Sequence, residues 1–121
     1  MANPNMDGYW LAFSQAYFAA DQERDYFEGL AKSSILEEDK IRFFQAALQL
    51  KGLVSQMESA NAAAIDRFNK TSLKGPSDDT LATAKTLATA FAAKIAVTAK
   101  TQTAVTLTTK FLSEWTKLGA D

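Results

Sequence analysis

The side chains in this chain that could do chemistry are carboxylates: Asp21, Glu23, Asp25 and Glu28 form one acidic run, and Glu37, Glu38 and Asp39 a second. Carboxylates at helical spacing can hold paired metal ions or act as acid and base on a glycosidic bond. Neither chemistry finds its remaining parts here. A helical di-metal site draws Glu-x-x-His pairs from facing helices, and the chain has no His. Glycoside cleavage needs a cleft that a small helical protein rarely provides. The absence of Cys as well removes disulfides, thiolate nucleophiles and most zinc sites, and the missing His takes away the commonest general base. Gly75 stands alone before Pro76, so no glycine-rich phosphate cradle exists. The acids therefore read as solvated faces and helix-dipole complements, and the chain as non-enzymatic, with no catalytic residue, cofactor or metal.

The charge balance narrows the partners. Across 121 residues, 13 Lys and Arg face 14 acids for a formal charge of −1, so no field draws the protein to nucleic acid or to anionic lipid. That length suits a single domain, 1–121, with one modest core. The most apolar run, Tyr9 to Ala20, contains Ser14 and Gln15 and falls short of the roughly 20 residues of a membrane span. Met1 to Gly8 has neither a basic nor an apolar region of a secretory signal. A cytoplasmic location is expected, with non-classical secretion left open.

The elements that must position these residues are helices. A first, over about 7–32, has Asp7 as its cap and an inward stripe of Tyr9, Phe13, Ala16, Ala20, Phe27 and Ala31, interrupted by Glu23 and Arg24. Trp10 and Tyr17 flank that stripe, while Leu11 and Phe18, one heptad apart, point well away from it. A second, over about 36–70, has acids in its first turn and the most regular pattern in the chain: Phe43, Ala47, Leu50, Val54, Met57, Asn61, Ala64 and Phe68 alternate by four and three, with Leu53 and Ile65 beside them. Asn61 is the polar residue on that seam, expected to pair across a helix interface and fix its register. Ile41, Phe44 and Leu48 form a second, shorter stripe that one antiparallel neighbour would leave wet.

Asn69 to Pro76 reads as the interhelical loop, and Ser77, Asp78 and Asp79 as a strong helix start. The run from Ser77 to Leu118 contains no internal Gly or Pro until its end. At about 100° per residue its apolar side changes partway. Leu81, Ala84, Leu87, Ala88, Phe91, Ala92, Ile95 and Ala99 share one face. Ala104, Val105, Leu107, Phe111, Leu112, Trp115 and Leu118 lie roughly half a turn away. A straight helix cannot bury both against one neighbour. Either it breaks near Thr98 to Thr103, where threonines lower helix propensity, or it continues and turns its second half to another chain, or its alternating Thr-rich part is a strand. The continuous helix over about 77–118 is preferred, because no turn residue interrupts it. The expected fold is all-α: an antiparallel bundle of three long helices, or four if the C-terminal helix breaks.

Three apolar surfaces are then left over: Trp10, Leu11 and Phe18; Ile41, Phe44 and Leu48; and Phe111, Trp115 and Leu118. They imply a helical interaction protein that self-associates as a homo-oligomer or docks a protein partner, in an assembly, secretion-associated or toxin-inhibitor role. In habit, with long Ala-rich amphipathic helices and neither Cys nor His, the chain also resembles phasins, which coat storage granules. That resemblance implies the alternative, a surface-active protein lying on a hydrophobic particle or lipid surface.

Overall fold

The computed structural model describes residues 4–96 and 100–118. They form four helices, α1 (Pro4–Ser33), α2 (Glu37–Asn69), α3 (Asp78–Ala96) and α4 (Thr101–Trp115), with no strand among them. The all-α bundle expected from the apolar periodicity is present, in its four-helix form.

Local chemistry sets the helix ends. Pro4 sits in the first turn of α1, where a missing N–H leaves no hydrogen bond unmade. Asp7 lies within that turn as a dipole complement and is not the cap. Ser34 closes the other end, its N–H and Oγ both donating to the Leu30 carbonyl at 2.9 and 2.6 Å. At the start of α3, Ser77 behaves as its type suggests: its Oγ accepts from the Thr80 N–H at 3.2 Å, while Asp78 and Asp79 fill the first turn. The loop before it turns at Lys74, whose φ of 56° is left-handed, and is tied by Thr71 Oγ1 donating to the Phe68 carbonyl at 2.7 Å.

The four helices take a square arrangement. α1 packs on α2 and α3, α4 packs on the same two, and α1 touches α4 more lightly across a diagonal. α1 and α2 run antiparallel, with the Tyr9 ring 5.1 Å from Phe68 at one end and Phe27 6.0 Å from Phe43 towards the other. α3 runs parallel to α1, because the α2–α3 loop returns to the N-terminal end, where Asn5 Nδ2 donates to the Pro76 carbonyl and to Asp78 Oδ1. Gly8 brings these two helices close; a Cβ there would lie 2.9 Å from Leu81 Cδ1. Ala84 and Ala88 continue the small-residue face of α3.

The single helix expected over 77–118 is corrected. α3 ends at Ala96, Lys100 is extended (φ −91°, ψ 123°) and α4 begins at Thr101. Thr98 and Ala99, part of the expected break and stripe, lie outside the described residues. The reason is the half-turn offset between the two stripes. Folding back on itself lets the segment present both to one core, which a continuous helix cannot do. Phe91 and Phe111 consequently stack at 4.6 Å across the α3–α4 pair. Thr108, absent from the expected core, is fully buried; its hydroxyl donates to the Ala104 carbonyl at 2.9 Å, which makes its burial tolerable.

The core closes on an aromatic cluster. Trp115 lies 5.4 Å from Tyr9, 6.2 Å from Phe13 and 5.2 Å from Phe111, and its Nε1–H donates to Tyr9 Oη at 3.2 Å. Burial pushes the Tyr9 phenol up to about 12, so it stays neutral throughout the ordinary pH range. Arg67 Nη2 donates to the Leu118 carbonyl at 2.8 Å, satisfying a group just beyond the end of α4. Trp115→Ala should therefore lower unfolding free energy by about 3–5 kcal/mol. Leu11→Ala, at a side chain 74% exposed, should change it by less than about 0.5 kcal/mol. Urea denaturation midpoints of the two variants measure the difference.

Candidate interaction surface

The outer side of the α1–α2 hairpin is built by what the core does not use. On α1 the buried residues Tyr9, Ala16, Ala20 and Phe27 define the inward direction, and Leu11 and Phe18 stand nearly opposite it. Trp10 is half-exposed beside them, edge-on to Phe13. On α2 the seam residues from Ala47 to Phe68 are buried, with Phe43 partly so, and Ile41, Phe44 and Leu48 project away. All six side chains singled out from the sequence on these two helices are exposed.

Phe111, Trp115 and Leu118 are not part of such a surface. They are 4%, 1% and 5% exposed and belong to the chain's own core. The expectation that they face a partner followed from a continuous last helix, and it falls with that helix. Three further large apolar side chains are exposed: Tyr26, which shares the bearing of Gly8 towards α3, and Ile35 and Leu36 in the α1–α2 turn, Ile35 at 94% exposure. A turn with two adjacent large aliphatic residues was the available signal, and periodicity does not register it because turns have no period.

A groove runs between the end of α1 and the start of α2, lined by Glu28, Ala31, Lys32, Lys40 and Phe44, with a volume of about 260 Å³. Ala31 is its buried floor and Phe44 an exposed wall. Between this groove and Leu11–Phe18, Arg24 bonds Asp21, Asp25 and Glu28 at 3.0, 2.9 and 3.1 Å. These charges satisfy one another along α1, as solvated helix faces do. Among the described residues no three acidic side chains are grouped to hold a metal ion.

Glu23 departs from its expected role as a solvated charge. It is 7% exposed on the core side of α1, and its Oε1 has no hydrogen-bond partner. Desolvation pushes its carboxyl up from an ordinary 4.5 to about 7. Asn61 is buried on the seam as its position implied. Its Oδ1, however, meets no donor, so the cross-helix bond expected to fix register is not made through that atom. Tyr17 reaches across instead, donating to Glu58 Oε1 at 2.6 Å, and the bond raises its phenol.

Comparison with protein-family models, curated proteins and solved structures finds no match. The fold is a four-helix bundle whose exposed large apolar side chains, Leu73 apart, come from α1, α2 and the turn between them. No described helix is long and apolar enough to cross a membrane.

The buried carboxyl yields a pH dependence of known sign. As pH rises from about 4.5, the unfolded chain ionises Glu23 while the folded one keeps it protonated until about 7, so stability falls across that window and levels off above it. The loss is on the order of 3 kcal/mol. Glu23→Gln should flatten that part of the profile and be the more stable protein at pH 8, as read from denaturation midpoints between pH 4.5 and 8.

Proposed function

We propose that this chain is a helical interaction module that binds protein, its own kind or another, through the outer side of the α1–α2 hairpin. One observation carries the reading: of the large apolar side chains exposed among the described residues, all but Leu73 come from α1, α2 or the turn between them, and none from α3 or α4. A monomer that owed its exposed apolar side chains to chance would scatter them over all four helices. Concentration on one hairpin marks a surface that another molecule covers.

The surface-active alternative fits this distribution less well. A helix lying on a lipid or oil surface presents an unbroken apolar face. Here Asp21, Arg24 and Asp25 interrupt the exposed side of α1 between Phe18 and the groove. Opening the bundle to expose its core would also break the Trp115–Tyr9 bond and the aromatic stack around it.

Affinity purification from the source organism tests the proposal. The tagged chain should retain protein, including untagged copies of itself, that a Phe18→Lys, Phe44→Glu double variant loses. Identical recovery by both overturns the reading, as does binding of the chain to neutral oil droplets or vesicles in place of any protein.

A further inference from the structure

We infer that Glu23 is a proton-operated latch: protonated, it lets the last turn of α3 close against α1, and ionised, it releases that turn and lets it unwind. The inference is independent of the docking surface and starts from the register of two helices. Gly8 meets Leu81, and Thr89 Oγ1 donates to Gln15 Oε1 at 3.5 Å, so α1 and α3 run side by side in one register. Carried along both helices, that register sets Glu23 level with the end of α3 at Ala96.

This is also where α3 stops covering α1. Tyr26, on the bearing of Gly8 towards α3, is 48% exposed. Glu23, one turn earlier and turned between that bearing and the core, is buried. Up to this point the side of α1 next to α3 is made of small residues, Gly8, Ala12, Ala16 and Ala19, and α3 answers with Ala84 and Ala88. Glu23 puts a long polar side chain into that close-packed interface at its edge, with no hydrogen-bond donor for its Oε1.

No neighbouring charge offsets it. On its own helix Arg24 is taken up by Asp21, Asp25 and Glu28. Lys51 on α2, Lys94 on α3 and Lys100 ahead of α4 are the charged groups nearest in level, and all three are exposed. Burial alone acts on the carboxyl and raises it to about 7. A neutral acid is tolerated there, whereas a carboxylate needs water, which lies just past the end of α3. α4 gives this end little local hold, since it starts from Lys100 with no side-chain cap and no acid in its first turn. Unwinding the last turn of α3 hydrates Glu23 while the aromatic cluster around Trp115 stays closed. The closed form holds the proton more tightly than the open one, so openings become more frequent as pH rises from about 4.5 to about 7 and level off above.

Native-state hydrogen exchange, followed by NMR at low urea, separates local release from global unfolding. The amides of Ala92 to Ala96 should exchange through an opening that urea does not accelerate, while those of Tyr9 and Phe111 exchange only by urea-sensitive unfolding. After correction for intrinsic exchange rates, the local opening should be about 70-fold more frequent at pH 8 than at pH 5, and Glu23→Gln should remove that difference. A local opening equally frequent at both pH values overturns the inference, because the carboxyl then takes its charge inside a closed bundle. A pH dependence that persists in Glu23→Gln overturns it as well. So does exchange of Ala92 to Ala96 with the urea sensitivity of the whole bundle, which leaves no local release for the proton to control.

Discussion

The fold depends on the meeting of Tyr9 and Trp115. One belongs near the start of α1 and the other to the last turn of α4, and they sit across the diagonal on which those helices otherwise touch lightly. An indole N–H and a phenol are both expensive to bury alone, so each is the other's reason for being in the core. Around them Phe13, Phe68 and Phe111 fill the space between the helices. The α3–α4 hairpin is held on the α1–α2 hairpin at this point, and Arg67 secures the chain just past it by taking the Leu118 carbonyl.

Much of this was legible in the residues. The four-three alternation on α2 named its buried seam almost completely, since a helix buried along one line has few other ways to be written. Ser77 with two aspartates marked the start of α3, because free N–H groups at a helix end select for those side chains. The half-turn shift in the last stripes was also real. What it meant was not decidable from pattern alone, as a shifted stripe fits a second partner and a reversal of direction equally well. No glycine or proline announced the reversal. Tertiary burial of Phe91, Phe111 and Trp115 overrode the local preference for one long helix.

The candidate surface was legible where it lay on helices and hidden where it lay in a turn. Leu11, Phe18, Ile41, Phe44 and Leu48 were visible because their bearings disagreed with the core stripe. Ile35 and Leu36 carry no bearing. Glu23 was misread for a different reason: a carboxylate in a helix is nearly always solvated, and burial of one depends on how neighbouring helices cross. Its Oε1, with no donor, makes it the clearest conflict between local residue type and global placement in the chain.

The 106-position separation of Tyr9 and Trp115 governs the sequence of events as the chain is made. The α1–α2 hairpin joins near neighbours and is available early, and α3 can cover α1 next, whereas the α2 side and the aromatic end of the core gain cover only when the final helix has emerged and swung back. Until then the nascent hairpin is oily on both sides, inward at Tyr9 and Phe68 and outward at Phe18 and Phe44. That interval, and not the finished bundle, is when the polypeptide is most exposed to aggregation.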